Sequence, residues 1–201
     1  MNKLAVLISD GGTGSNMQAI IDAIENKILK AEIVIVVSDT PDAFGLQRAS
    51  KHKIPTLIVS KKDNLTELLY SKYGVDYIVL AGWKMIVPAH MIDTFENRIL
   101  NLHPGFIPDT IDGVVSCPDG SGGEWNRGKF TEKALQHFLD KNDSYAGSTV
   151  HFLSHEFDFG PILKRCFVKI ESDDTVKSLY DRLKNEEHKI YIESLISLCN
   201  K

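Results

Sequence analysis

The stretch that decides the fold is Lys3–Lys27, KLAVLISDGGTGSNMQAIIDAIENK, in which an apolar run meets a glycine-rich turn and then a helical pattern. The run Lys3–Ser9 is predicted to be a buried β-strand, because it is apolar and ends at turn residues. Asn16 is the predicted N-cap of a helix that ends near Lys27 and carries its apolar residues on one face. A strand, a turn and a helix in this order are typical of a parallel α/β sheet.

The same alternation of strand and helix patterns continues along the chain. In the first half it predicts strands at Ile33–Val37, Thr56–Val59, Tyr77–Leu80 and Ile99–Leu102. It predicts helices at Ala43–Lys51 and Leu65–Lys72, between these strands. In the second half it predicts a helix, two strands and a long helix that Thr175 caps, at Thr131–Asp140, Ser148–Leu153, Ile162–Ile170 and Asp174–Leu198. We therefore expect an α/β fold with a Rossmann-like, mostly parallel sheet, helices on both faces and antiparallel strand addition in the C-terminal half. We expect one domain over residues 1–201.

Composition excludes several classes of partner. The net charge is −4, so a broad basic surface for nucleic acid is not expected. No apolar run approaches the roughly 20 residues that span a bilayer, so a membrane is not expected either. The three cysteines stand far apart without metal-site spacing, which favours a reduced, cytoplasmic protein. Composition leaves open whether the protein is a monomer or a homodimer.

The glycine-rich turn Ser9–Asn16 is a candidate phosphate site. Small residues let backbone amides approach an anion, and the start of the helix adds positive potential. A nicotinamide dinucleotide is one alternative, since Gly12-Thr13-Gly14 begins the G-x-G-x-x-G pattern and Asp39 follows the second strand, but Met17 stands at the third glycine position. A tight turn without a ligand is the other alternative. The small residues favour a monophosphate.

The stretch Ile99–Pro108, ILNLHPGFIP, places two polar residues near the end of a predicted strand. Asn101 and His103 are two residues apart, so their side chains leave the same face of the strand, and Pro104 ends it. The carboxyl edge of an open parallel sheet is where ligands bind. Asp158, at a turn between two phenylalanines, is the candidate carboxylate partner. Together the three side chains offer an oxyanion donor, a proton carrier and an orienting acid.

Other polar or aromatic residues carry weaker signals. His151 and His155 would share a strand face, but no acidic or cysteine ligand follows at metal-site spacing, so we expect a core His151 bonded to backbone and no metal site. Trp83 follows the fourth strand, where its ring would either line a binding site for a flat heterocycle or cover the core. The irregular stretch 104–128 is long for a compact domain, and such loops are often functional.

Five segments, in order along nearly the whole chain, resemble the phosphoribosylglycinamide formyltransferases, a family of folate-dependent enzymes of purine synthesis. These segments are Gly14–Ile20, Leu80–Trp83, Asn101–Pro104, Val150–Phe152 together with Asp158–Pro161, and Glu187–Tyr191. The Asn-x-His pair with its aspartate is shared by folate formyltransferases in general. The glycine loop and Glu187-His188 point more narrowly to the glycinamide ribonucleotide enzymes.

The resemblance implies an activity and a role for each matching residue. It implies formyl transfer from the co-substrate 10-formyltetrahydrofolate to the amine of glycinamide ribonucleotide in de novo purine synthesis, with these small molecules as partners and no metal. The catalytic set would be Asn101, His103 and Asp158. The substrate-binding residues would be Gly12, Thr13, Gly14, Ser15, Asn16 and Glu187. The folate pocket would be lined by two segments, Trp83, Lys84, Met85, Ile86, Val87 and Ser154, His155, Glu156, Phe157.

The chain also departs from the family pattern on segments that would face substrate. The glycine loop is longer than usual, Met85 stands where an arginine is expected, and a short loop is replaced by Asp109–Lys129. Arg127 and Lys129 in this loop would either replace lost contacts to phosphate or folate glutamates, or belong to a solvated loop. The alternatives to the main function are a formyltransferase for another amine, such as an amino sugar nucleotide, and a non-catalytic nucleotide-binding module.

Overall fold

The computed structural model describes residues 1–201, which form two compact units, Met1–Asn101 with Leu195–Lys201 and Leu102–Ser194. The first unit contains strands joined by helices. Its strands are β1 (Asn2–Ile8), β2 (Ala31–Ser38), β3 (Thr56–Ile58), β4 (Tyr77–Leu80) and β5 (Ile99–His103), of which the last two residues belong to the second unit. Its helices are α1 (Ser15–Glu25), α2 (Phe44–Lys51), α3 (Leu65–Glu67), which a π-helical turn Leu68–Lys72 continues, and α4 (Ala89–Thr94).

The second unit contains an antiparallel strand pair and two longer helices. Its elements are β6 (Val115–Ser116), β7 (Gly122–Gly123), α5 (Thr131–Asp140), β8 (Tyr145–Phe152), β9 (Ile162–Lys169) and α6 (Val176–Cys199), whose last turn belongs to the first unit. Thr175 Oγ1 accepts a hydrogen bond from the Ser178 amide at 3.2 Å, which confirms it as the cap of α6. None of the helices combines the length and the apolar character that a membrane span requires.

The strands of the first unit are parallel, and β1 lies between β2 and β4. Pairing runs Leu4 with Ile33 on β2 and Val6 with Val79 on β4. Residues 4–8 of β1 are all buried, because a central parallel strand is covered on both faces. The full strand order is β3-β2-β1-β4-β5-β8-β9, and β8 and β9 are antiparallel. The predicted mostly parallel sheet with antiparallel strands added in the C-terminal half is confirmed.

An aromatic cluster forms the core of the second unit. The ring of Phe106 lies 5.2 Å from that of Phe138 on α5 and 5.3 Å from that of Phe167 on β9. Gly147 on β8 makes room for this cluster, since a Cβ there would collide with the Phe106 ring. The cluster thus packs the segment that follows β5 against α5 and the strand pair.

Three local predictions need correction. Gly14, with a left-handed φ of 66°, is the N-cap of α1, whereas the predicted cap Asn16 lies inside the helix. Helix α4 was not predicted, because it has only six residues and buries only Met91, too few positions for a periodic pattern. The irregular stretch 104–128 contains the short antiparallel pair β6–β7, which two-residue strands do not reveal in a sequence.

Replacing Phe138 by alanine should destabilise the protein by about 3–5 kcal/mol, because the side chain is 1% exposed and its removal leaves a cavity beside Phe106. Denaturant unfolding followed by circular dichroism measures the change. Phe130→Ala is the matched control, since Phe130 is 68% exposed and its loss should cost no more than about 0.5 kcal/mol. Equal effects of the two substitutions would contradict this account of the core.

Candidate active site

His103 and Asp158 lie together in the second unit. His103 ends β5 and is 2% exposed, and its Nδ1 is 3.8 Å from Asp158 Oδ2. Its Nε2 is 3.1 Å from the main-chain oxygen of Asn126. A carbonyl only accepts, so Nε2 carries the proton and donates it, and in the neutral ring Nδ1 is the basic nitrogen that faces the carboxylate.

Asp158 is held by backbone geometry as well as by contacts. Its φ of 52° is left-handed, a conformation that few residues other than glycine adopt and that recurs at functional sites. Asp158 Oδ2 accepts a hydrogen bond of 2.7 Å from the Gly128 amide. The preceding turn is closed by Ser154, whose hydroxyl donates to the Phe159 carbonyl at 3.0 Å and accepts from the Glu156 amide at 3.1 Å.

Burial lowers the pKa of His103 below its ordinary value of 6.5. The Asp158 carboxylate and the Asn126 carbonyl act in the opposite direction, and the Lys129 ammonium adds to the lowering. The ring is therefore neutral at pH 7 and can accept a proton. The nearby carboxylate stabilises the cation once the proton has been taken up.

Asn101 lies on β5, two residues before His103, as predicted. Because alternate residues of a strand share a face, the two side chains leave β5 on the same side. Asn101 is half-buried and interacts with other groups of the protein. Its carboxamide is thus a neutral polar group on the same face of the strand as the imidazole.

His151 is a core histidine, as predicted. Its Nδ1 lies 2.9 Å from the Phe152 carbonyl, and its ring lies edge-on to that of His103 with centroids 6.5 Å apart. Burial, with the nearby His103, lowers the pKa of His151 to about 3. Among residues 1–201 no three histidine, cysteine, aspartate or glutamate side chains are grouped as metal ligands.

The glycine-rich turn of the first unit is exposed, and Arg48 and Lys84 hold it through hydrogen bonds and an ion pair. Arg48 Nε donates to the Thr13 carbonyl at 2.9 Å. Lys84 Nζ pairs with Asp10 at 2.9 Å, and the Lys84 amide donates to Ser9 Oγ at 3.0 Å. The braced turn precedes the first amides of α1, a geometry that suits an anion.

The residues expected to contact folate lie on two segments. In the first unit, Trp83, Met85 and Val87 are half-buried, whereas the side chain of Ile86 is 86% exposed. In the second unit, Phe157 is 57% exposed next to the turn that carries Asp158. Ile86 and Phe157 are thus accessible, and their expected contact with folate stays a prediction.

Glu187 lies on α6 inside the second unit and is 3% exposed. Its Oε1 accepts a hydrogen bond of 2.7 Å from Ser148 on β8, and burial raises the pKa of its carboxyl. The carboxyl thus already has a partner within the protein. The expected contact with substrate stays a prediction.

Sequence reasoning did not predict the contacts that Asn126 and Gly128 make with His103 and Asp158. These residues contact His103 and Asp158 through main-chain atoms, so their side chains gave no signal. The isolated β-bridge between Phe106 and Trp125 brings this part of the loop back to the end of β5. The length of the loop was the only feature of the sequence that pointed to it.

Known proteins that are similar to this chain in sequence and fold include formyltransferases. The sequence model of the formyl transferase family matches residues 2–195. A chloroplastic phosphoribosylglycinamide formyltransferase of Arabidopsis thaliana is 33% identical over 99% of this chain, which spans 66% of that relative's length. The phosphoribosylglycinamide formyltransferase of Dictyostelium discoideum is 32% identical, with 98% of each chain covered. The crystal structure of glycinamide ribonucleotide transformylase 1 from Symbiobacterium toebii has a TM-score of 0.80 at 33% identity, over 97% of this chain and 86% of that one.

The free energy of unfolding should fall as the pH is lowered from about 6.5 towards about 3, by about 3–5 kcal/mol from His151 alone. The unfolded chain takes up a proton near pH 6.5, whereas the folded His151 resists protonation, so acid favours unfolding. Urea titrations across this range measure the slope.

Two variants assign the effect to His151. His151→Gln can keep a side-chain donor to the Phe152 carbonyl and should flatten the pH dependence. His155→Gln, at an exposed position, should retain the parent slope. If both variants keep the parent slope, His151 is not the group responsible.

Proposed function

The chain belongs to the formyl transferase family, and we propose that it transfers a formyl group from 10-formyltetrahydrofolate to the amine of glycinamide ribonucleotide, a step of purine biosynthesis. The single observation that carries this proposal is the pair of buried His103 and half-buried Asp158, with Nδ1 and Oδ2 3.8 Å apart. Relatives that share the family are named for this activity. Catalytic hydrogen bonds are often long in ligand-free structures, so the spacing suits a proton-handling pair.

The three catalytic residues divide the chemistry of formyl transfer between them. The substrate amine attacks the formyl carbon, and the Asn101 carboxamide donates a hydrogen bond to the oxyanion that forms. Neutral His103 accepts the amine's proton at Nδ1, and Asp158 stabilises the resulting cation. His103 then gives this proton to the departing folate nitrogen as the bond from that nitrogen to the formyl carbon breaks. The proton gained equals the proton returned, and no covalent enzyme intermediate is needed.

The remaining roles are proposed residue by residue. The turn Gly12–Asn16 binds the substrate phosphate through backbone amides, and a contact between buried Glu187 and the ribonucleotide stays a prediction. The segments 83–87 and 154–157 contact the folate, which suits the exposed side chains of Ile86 and Phe157. Whether Arg127 and Lys129 contact phosphate or folate glutamates, or belong to a solvated loop, is left open by the sequence.

The wider setting is part of the proposal. The chain acts as one domain over residues 1–201, as a monomer or homodimer, in the cytoplasm, on small molecules rather than nucleic acid, and without a metal. Three buried cysteine thiols suit a reducing compartment. The runner-up is formyl transfer to another amine, since the long loop 109–129 departs from the family pattern.

A panel assay tests the reaction. Purified protein is given 10-formyltetrahydrofolate with glycinamide ribonucleotide, with an amino sugar nucleotide, or with water alone, and folate release is followed by absorbance. We expect release only with glycinamide ribonucleotide. Release with the amino sugar nucleotide alone would favour the runner-up, and no release with any amine would favour a non-catalytic binding module.

His103→Ala should lower kcat by about two to four orders of magnitude, the scale of general acid–base groups, with little change in KM for either substrate. Asp158→Asn should act similarly and leave the fold intact, because asparagine also tolerates the left-handed backbone. Steady-state kinetics and circular dichroism on each variant provide the two readouts. Turnover within a few-fold of the parent would contradict the assigned roles.

A further inference from the structure

We infer that Trp125–Gly128 is a positioning segment that holds the His103 imidazole and the Asp158 carboxylate in their reactive arrangement. The inference rests on the proposed function, because it assigns a purpose to the pair on which that function depends. It gives the long loop a part in the reaction other than contact with substrate.

The two reactive side chains are held by main-chain atoms of the same short segment. The Asn126 carbonyl accepts from His103 Nε2 at 3.1 Å, and the Gly128 amide donates to Asp158 Oδ2 at 2.7 Å. The carbonyl and the amide belong to residues only two apart. A shift of the segment would therefore change both contacts at once.

One side of the segment is tied to the core of the second unit. The Asn126 amide donates to the Phe106 carbonyl at 3.1 Å, and Asn126 Oδ1 lies 3.4 Å from the Phe106 amide. Phe106 is fully buried in the aromatic cluster with Phe138 and Phe167. The carbonyl that faces His103 is thus anchored to a rigid part of the unit.

The other side of the segment is tied to the turn that carries Asp158. The Trp125 ring lies 5.4 Å from that of Phe159, and the Arg127 guanidinium lies 4.9 Å from the Trp125 ring. Arg127 also pairs with Glu156. Arg127 therefore links the positioning segment to Glu156, before Asp158, while Trp125 contacts Phe159, after it. Arg127 acts on the reactive pair through these contacts, which makes it a positioning residue.

Two buried donors in the segment, Trp125 Nε1 and Asn126 Nδ2, have no hydrogen-bond partner within the protein. An unsatisfied buried donor costs free energy, about 1–3 kcal/mol in typical cases, and it is unusual in a native protein. A loop that only covered the core would gain nothing from this arrangement. The backbone contacts with the two reactive groups constrain the segment, and this constraint explains why the two donors stay unsatisfied despite the cost in free energy.

The carbonyl of Asn126 also selects the tautomer of His103. A proton on Nε2 leaves the Nδ1 lone pair as the atom that takes a proton, whereas the opposite tautomer would direct a lone pair at the carbonyl oxygen. The charged and titratable groups that face the ring are Asp158, Lys129 and His151. Of these, Asp158 is the one whose side chain accepts a hydrogen bond from the positioning segment.

The kinetic test uses Arg127→Ala. We expect kcat to fall about 10- to 100-fold, as a small misplacement of reactive groups does, with KM for both substrates within about two-fold of the parent values. Arg127→Lys should recover part of kcat, since it keeps the cation near Glu156 and Trp125. Lys141→Ala removes another loop ion pair, Lys141–Glu124, and should leave kcat unchanged. A rise in KM with kcat unchanged in Arg127→Ala would overturn the inference and assign Arg127 to substrate contact.

A second readout does not depend on turnover. Nitrogen-15 NMR of the histidine rings, assigned with His103→Gln, should show the Nε2–H tautomer in the parent. In Arg127→Ala we expect a mixture of tautomers and a lower pKa of His103, because the Asn126 carbonyl and Asp158 both raise that pKa and both contacts loosen. An unchanged tautomer and pKa would overturn the inference. A parent chain without formyl transfer would overturn the proposed function, while the NMR comparison would still decide the positioning role.

Discussion

A buried imidazole needs a polar partner at each of its two ring nitrogens, and this requirement connects three separate parts of the second unit. His103 meets it with a carbonyl from the long loop on one side and a carboxylate from the turn after β8 on the other. Each partner is held in turn, the carbonyl through Phe106 and the carboxylate through the Gly128 amide. The loop, the strand end and the turn therefore depend on one another, although they are far apart in the chain.

The electrostatic balance at this ring suits a group that gains and then loses a proton. Burial favours the neutral form, and the carboxylate limits that preference. A histidine with the carboxylate alone would hold its proton too strongly, and one with burial alone would not accept a proton at all. His151, which is also buried, has its pKa lowered to about 3 by burial and by the nearby His103.

Much of the fold could be predicted from the sequence, because its strong patterns are local. The strand Tyr77–Leu80 and the helix Thr131–Asp140 have the predicted bounds, since the strand is a continuous apolar run and the helix carries its buried residues on one face. Asn101 and His103 were chosen as polar residues that break an apolar strand, and Asp158 as a carboxylate at a turn between two phenylalanines. The predicted helix cap at Asn16 was wrong, because the glycine-rich turn contains several polar residues that could serve as a cap. The N-cap is instead Gly14, whose backbone is left-handed. The contacts of Asn126 and Gly128 could not be predicted, because main-chain atoms are the same at every residue.

The use of main-chain atoms by the loop has an evolutionary consequence. A peptide carbonyl survives nearly any substitution of its own residue, so the neighbours of a reactive histidine can diverge while the hydrogen bond persists. Such a loop is free to lengthen or to change its surface provided that its path past β5 is kept. Descendants of one ancestral enzyme could in this way acquire unlike loops around the same chemistry.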